Sequence, residues 1–465
     1  MSHLTYNGAS PSPQPSASTL DVQAVQKHAA ELIARNLWTC QQLLTFQSEQ
    51  LQRTLDYAVH TSSFYRDTIG NLVRASAPLH ALPILTKRSL MDNFDAIVTD
   101  RRLTRKLVEA HVDGPDPNAL LLGEYRVAAT GGTSGERGVF VYDTSSWLMV
   151  TANLVRFQRF LGVQPSTRSI GIGAPSPIHL SYRFYAELRA ARPDQPCLDV
   201  TMPVDHIVNA LNAYQPEGLT TYPSFMRVLA QEQLAGRLRI SPQFLRSGAE
   251  MLLPEVRDLV KKVWGVPTYN GYACTEAGVM AQECSHQEGM HMAEDLIVFE
   301  VVDENGDAVP AGETGARLLI TTLTNPALPL IRYELTDLVT LATGPCTCGM
   351  PYGRVAGIEG RREEVLSFAG RDGGTVSIGG VVLKSPLIAM EGIRQFQILH
   401  GTSGLKVMLV LHRGTDQVDI GAKVVHALSD AIQSRGAVPL AISVQFADDI
   451  PRVGSAAKEK LVVKG

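Results

Sequence analysis

The chain reads as an α/β protein with a large N-terminal domain and a small C-terminal one. Three observations carry that reading. Its 465 residues exceed what one ordinary core holds. Through the middle of the chain short apolar runs alternate with helical stretches, the pattern of a mainly parallel sheet covered by helices. After residue 360 a separate strand–helix–strand alternation runs to the end. It is about a hundred residues long, a common domain size.

The elements follow in chain order. Residues 1–18 are rich in Ser, Pro and Gln, and a mobile tail is expected there. Over 20–69 the apolar residues Val22, Val25, Ala29, Leu32 and Ile33, then Leu43, Leu44, Phe46, Leu51 and Leu55, recur at helical spacing. Two amphipathic helices are expected, their stripes facing a core. GVFVYD (138–143) predicts a strand, followed by a helix over 145–161. SIGIGA (169–174), LTTYPS (219–224) and LRSGAE (245–250) predict further strands, with helices over 225–235 and 254–263. The stretch 295–323 changes to strand–turn–strand, punctuated by Asn305-Gly306 and Gly312, and predicts an antiparallel subdomain. QFQILH, LKVMLVLH, a helix near 420–435 and ISVQFA predict a separate small α+β domain. The expected boundaries are a tail over 1–18, a large domain over 19–360 and a small one over 361–465.

Hydrophobic residues at 45% and charged residues at 19% suit a globular protein that buries a sizeable core. A net charge of -4 leaves no electrostatic footprint for nucleic acid or an anionic membrane, so small molecules are the expected partners. No stretch approaches the roughly 20 apolar residues of a membrane span. The N-terminus lacks the basic start and apolar run of a secretory signal. A cytoplasmic location follows as an expectation, with the six cysteines reduced, buried or metal-bound.

Chemistry enters at AATGGTSGERGVFVYD (128–143). Glycine and small hydroxyl residues let backbone N–H groups approach phosphate oxygens. The segment is not a Walker A loop, since Glu136 stands where its Lys should follow the last Gly, and it is not G-x-G-x-x-G. Thr130, Gly131, Gly132, Thr133, Ser134 and Gly135 instead resemble the phosphate-binding signature of the adenylate-forming superfamily. The Pro-Lys ending of that signature is absent, and Arg137 is the candidate for its charge.

Further motifs follow in the superfamily's order. NGYACTEAG (270–278) resembles Y-x-x-T-E, which implies Tyr272 stacking on adenine, Thr275 at a phosphate and Glu276 holding Mg²⁺. LRSGAEML (245–252) resembles the adenine-lining strand, with Gly248, Ala249 and Glu250 at the pocket. LIRYELTDLV (330–339) resembles Y-R-T-G-D and implies Asp337 on both ribose hydroxyls. GRREE (360–364) resembles the hinge signature, with Arg361 toward ribose or phosphate and Glu363 in place of the hinge aspartate. IPRVGSAAKEKLVV (450–463) resembles the C-terminal lysine loop; Lys458 aligns with the catalytic lysine and Lys460 is its reserve. By resemblance the acyl pocket takes His179, Tyr182 and Phe184 from IGAPSPIHLSYRFY (172–185), with Tyr222 beside them. A large domain, a swinging small domain and ATP-dependent formation of an acyl-adenylate are implied.

The helical start ending in SSFYRD (62–67) and a C-x-C-G insert are similar to the phenylacetate–CoA ligase-like branch. That branch carries a Cys, His, Cys, Cys zinc clip, which implies a structural Zn²⁺ on Cys284, His291, Cys346 and Cys348, with His286 the rival to His291. CoA ligases of the branch carry R-G-x-N-V-F-P after the hinge. Here SFAGRDGGTVSIGGVVLKSP (367–386) lacks the Asn and gains a glycine turn. Such departures resemble amide-forming relatives and imply an amino acid as acceptor, with CoA the alternative.

Overall fold

The computed structural model describes residues 20–130, 137–164, 166–191, 195–388, 390–401, 404–412, 414–450 and 462–464. The tail, Gly131, Gly132, Thr133, Ser134 and Gly135 of the glycine-rich segment, and Lys458 and Lys460 lie outside these residues, as does the side chain of Glu363.

The strands are β1 Arg126–Ala129, β2 Val139–Tyr142, β3 Ser169–Gly173, β4 Cys197–Asp199, β5 Gly218–Thr221, β6 Phe244–Ser247, β7 Thr268–Cys274, β8 Gly278–Glu283, β9 Met290–Met292, β10 Ile297–Val302, β11 Arg317–Thr322, β12 Tyr333–Leu335, β13 Asp337–Leu341, β14 Arg354–Arg361, β15 Leu366–Ala369, β16 Thr375–Ile378, β17 Ile393–Gly401, β18 Gly404–Leu411, β19 Ile442–Phe446 and β20 Val462–Lys464. One nine-stranded sheet runs β13-β14-β9-β8-β7-β6-β5-β3-β4. From β4 to β7 neighbours are parallel; from β7 through β8, β9 and β14 to β13 they are antiparallel. The expected mainly parallel sheet is therefore half of a mixed one. GVFVYD is a strand, but it pairs only with β1 in a separate two-stranded hairpin, since an apolar run does not specify its partner. The expected antiparallel subdomain is the sheet β10-β11-β12.

Local chemistry sets the helix limits. Asp143 accepts from the Ser146 N–H and caps helix Thr144–Phe160, a contact worth about 1 kcal/mol. Helix Pro254–Trp264 starts on proline, whose missing N–H is no loss in a first turn, and ends on Gly265. The two N-terminal helices, Val22–Arg35 and Cys40–Thr61, form where the periodicity placed them. Arg35 and the fully buried Arg156 both grip Asp295. That ties the first helix and helix Thr144–Phe160 to the turn before β10; deleting one charge of such a buried set costs about 3–5 kcal/mol.

Three apolar cores result. The largest joins the N-terminal helices, the hairpin and the antiparallel part of the main sheet. A second lies around β3, β5 and β6 with helices Val204–Tyr214, Pro223–Leu234 and Pro254–Trp264. A third, from Leu366 to Val462, belongs to the sheet β19-β18-β17-β20, hairpin β15–β16 and helices Gly380–Ile388 and Gln417–Gln433. The glycine turn after the hinge is that β15–β16 hairpin. No helix among the described residues is long and apolar enough to cross a membrane.

Candidate active site

The antiparallel half of the main sheet brings three sequence-predicted groups together. Asp337 opens β13 and Arg361 closes β14, and the register sets them directly opposite. Arg361 Nε lies 3.4 Å from Asp337 Oδ1, and the Tyr272 hydroxyl donates to Asp337 Oδ2 at 2.6 Å. Burial, then the Asp337 carboxylate, push the Tyr272 phenol well above its ordinary value, so it stays a donor. Gly360 in the same strand has φ +120, which only glycine adopts without strain.

Glu276 lies in the turn between β7 and β8 and is 7% exposed. Burial raises its carboxyl pKa, and its own backbone N–H, Lys87 and Arg361 offset part of that rise. The Tyr333 hydroxyl donates to Glu276 Oε1 at 3.3 Å. The Tyr142 hydroxyl donates to the carbonyl of Thr275 at 2.5 Å. A buried carboxylate whose pKa is raised by burial suits a cation ligand, because a cation removes the desolvation cost. Sequence reasoning did not single out Tyr142 or Tyr333, although Tyr333 lies inside the quoted RYELTD motif.

The remaining predicted residues divide. Gly248 and Ala249 follow β6, with Ala249 at φ +66, and Glu250 accepts from the Ser224 N–H at 3.2 Å. Glu250 Oε1 is buried without a partner. Thr130 closes the neck of the glycine-rich segment: its N–H donates to the Gly138 carbonyl and its hydroxyl accepts from the Gly138 N–H, both at 2.9 Å. Arg137 is held by Asp113 at 2.6 Å. Tyr222 is buried in the second core at the start of helix Pro223–Leu234, and Tyr182 is half-buried. His179 is buried. Phe184 stacks on Trp147 at 5.1 Å inside the first core.

A second polar cluster occupies the opposite ends of the same strands. Cys284 follows β8, His291 is in β9, and Cys346 and Cys348 lie between β13 and β14. Their ligand atoms all lie within 4.8 Å of one another. Cys284 and Cys346 sulfurs are 3.9 Å apart, and Cys348 Sγ is 3.3 Å from His291 Nε2. A tetrahedral zinc with sulfurs at about 2.3 Å has edges of roughly 3.8 Å, so the donor set fits that ion. Burial and then Arg354 hold the His291 pKa down to about 4, which keeps the ring neutral as a ligand must be. Burial pushes the Cys348 thiol up to about 12. Such thiols ionise only when a cation compensates them. His286 is instead bonded through Nδ1 to the Thr347 hydroxyl at 2.7 Å.

An open groove of about 620 Å³ lies between helix Gln417–Gln433 and β19, lined by Val418, Val425, Val444 and Phe446 among others. It contains none of the carboxylates above and is not where their chemistry takes place.

No family model matches the chain. It is 26% identical over 383 residues to the phenylacetate–CoA ligase of Thermus thermophilus, covering 77% of this chain and 78% of that protein. It is 23% identical over 419 residues to protein CapK of Staphylococcus aureus, covering 87% and 86%. In structure it superposes on a 2-hydroxyisobutyryl-CoA ligase in its postadenylation state with 2-HIB-AMP at a TM-score of 0.70, with 18% identity, covering 90% of this chain and 88% of that one. The chain is thus similar along most of its length to a phenylacetate–CoA ligase and to CapK, and it shares the fold of an adenylate-forming ligase.

Proposed function

We propose that this protein uses ATP to activate a carboxylic acid as an acyl-adenylate and then passes the acyl group to an amine, giving an amide. The observation that carries the reading is Asp337 held between Tyr272 and Arg361 with the buried Glu276 beside them. In the first half-reaction the acid's carboxylate oxygen attacks the α-phosphorus. The bond to the β-phosphate breaks, pyrophosphate leaves with the electron pair, and no proton moves. Asp337 accepts from the ribose hydroxyls, Tyr272 covers the adenine, and Arg361 faces ribose or phosphate. Glu276 holds Mg²⁺, which neutralises the polyphosphate when bound. In the second half-reaction the amine nitrogen attacks the acyl carbonyl, the bond to AMP breaks, AMP keeps the electron pair and the nitrogen loses a proton to solvent.

We assign the large domain to residues 19–360 and the swinging domain to 361–465, with Lys458 brought in for adenylation and Lys460 its reserve. Zn²⁺ on Cys284, His291, Cys346 and Cys348 is structural, since four protein ligands leave no open position. Free cysteines without a disulfide suit a reducing cytoplasm. His179, Tyr182 and Tyr222 supply the acid side, and their largely aromatic make-up favours an apolar or cyclic acid. The amine reading rests on the hairpin β15–β16 and helix Gly380–Ile388 standing where the branch's CoA signature belongs. CoA is the second reading, favoured by the names of the relatives.

The test is a panel of acids with ATP and Mg²⁺, scored by ATP–pyrophosphate exchange. Productive acids are then run with amino acids or with CoA and the products weighed by mass spectrometry. Exchange followed by amide supports the proposal. Exchange followed by thioester replaces the acceptor, and no exchange with any acid removes the reading.

A further inference from the structure

We propose that Lys87 supplies the polyphosphate-binding cation of the adenylation site, from outside the glycine-rich segment. The inference rests on the ATP-dependent reading above. The segment has Arg137 and Gly138 where the superfamily pattern has Pro-Lys, and the Arg137 guanidinium is engaged by Asp113. A nucleotide triphosphate still needs a cation there, because charge accumulates on the leaving pyrophosphate as the bond to the α-phosphorus breaks.

The fold delivers one from the N-terminal third of the chain. Leu85 is stitched to β12: its N–H donates to the Arg332 carbonyl at 3.0 Å, and its carbonyl accepts from the Glu334 N–H at 2.9 Å. Between those two residues stands Tyr333, whose hydroxyl bonds Glu276. Thr86 caps helix Lys87–Asp92, accepting from the Ser89 N–H, and so makes Lys87 the first residue of that helix. Lys87 is therefore two residues from a point locked against the Glu276 carboxylate.

On its other side the lysine stem crosses the neck of the glycine-rich segment. A Cβ on Gly138 would stand 2.9 Å from Lys87 Cε. Residue 138 lacks a side chain where the lysine passes, and the neck beneath is closed by the paired Thr130–Gly138 hydrogen bonds. Lys87 thus lies against the Gly138 neck, and its charge offsets part of the burial that raises the Glu276 pKa. An ammonium is a compact point charge with three donors, suited to the non-bridging oxygens of a β- or γ-phosphate. The step it assists forms the acyl oxygen–phosphorus bond and expels pyrophosphate with its electron pair, and Lys87 keeps its proton throughout.

The test measures ATP and AMP binding to the full chain by calorimetry, and both half-reactions, for Lys87→Met and Lys87→Arg. Lys87→Met should weaken ATP about tenfold while leaving AMP unchanged, because AMP lacks the β- and γ-phosphates. Pyrophosphate exchange should fall about a hundredfold, and Lys87→Arg should recover most of it. Product formation from synthetic acyl-AMP plus acceptor should stay near the wild-type rate. If Lys87→Met binds ATP as wild type does, or loses ATP and AMP alike, Lys87 is not the phosphate cation. A wild-type chain that binds no ATP removes the ATP-dependent reading and this assignment with it. One that binds ATP but activates no acid removes only the ligase reading, and the ATP-against-AMP comparison still decides Lys87.

Discussion

β8 and β13 each carry an acidic group at one end and a cysteine near the other. Glu276 precedes β8 and Cys284 follows it; Asp337 opens β13 and Cys346 comes after it. The same pair of strands therefore supports two clusters, separated by roughly 20 Å if six residues of β8 each rise about 3.3 Å. At the cysteine end four donors turn inward on one another at tetrahedral spacing. At the carboxylate end Glu276 is buried and receives the Tyr333 hydroxyl and its own backbone N–H, and Asp337 is only partly covered by Tyr272 and Arg361. Closed satisfaction marks a structural site, and a buried charge left wanting marks a reactive one.

The largest expected effect breaks this comparison most directly. Glu276→Gln should lower pyrophosphate exchange by about a hundredfold to a thousandfold, because it removes the anion proposed to hold Mg²⁺ at the leaving group. Its melting temperature should stay or rise, since a desolvated carboxylate is lost. Cys346→Ser should do the opposite: lower the melting temperature by several degrees, lower the zinc content expected at about one ion per chain by metal analysis, and spare exchange in the protein still folded. If Glu276→Gln melts early and Cys346→Ser loses catalysis at full stability, the two ends have been assigned the wrong way round. Asp337→Ala comes next, with ATP binding weaker by about tenfold from lost ribose hydrogen bonds and a smaller change in turnover.

How much of this was legible from sequence depends on separation along the chain. The strands at 169–173, 218–221 and 244–247 are buried in the parallel half of the sheet and stand out as apolar runs bounded by helices. The motif residues Tyr272, Glu276, Asp337 and Arg361 could be picked out because each sits in a recognisable local pattern. Partners could not. Tyr333 reaches Glu276 across 57 residues, and only the pairing of Leu85 with β12 shows that Lys87 belongs near the same carboxylate. His286 and His291 both lie near Cys284 in sequence, and the choice is made by β9, where His291 pairs with Arg354 of β14 beside the cysteine turn. The side-chain engagement of Arg137 by Asp113 likewise joins residues whose spacing carries no signal.

The smallest effect concerns how the two halves are held. Arg227, 3% exposed on helix Pro223–Leu234, donates to the carbonyls of Ile393 at 3.0 Å and Arg394 at 2.8 Å, the first residues of β17. The same strand start anchors the approach to the lysine segment: Arg394 donates to the Asp448 carbonyl, and the Ile450 N–H donates to Gln395. Beyond that segment β20 lies against the hinge helix Arg362–Glu364, next to Arg361. Arg227 therefore ties helix Pro223–Leu234 to the start of β17, inside the stretch proposed above as the small domain. Removing the grip should favour other orientations of the small domain. Arg227→Ala should slow exchange by about fivefold, equivalent to about 1 kcal/mol, while leaving the reaction of synthetic acyl-AMP with acceptor unchanged or faster. Arg227→Lys, with one charge but no planar fork to reach two carbonyls, should fall between. Equal slowing of both half-reactions with a lower melting temperature would make Arg227 a packing residue, and no slowing of either would mean that the small domain finds its place without it.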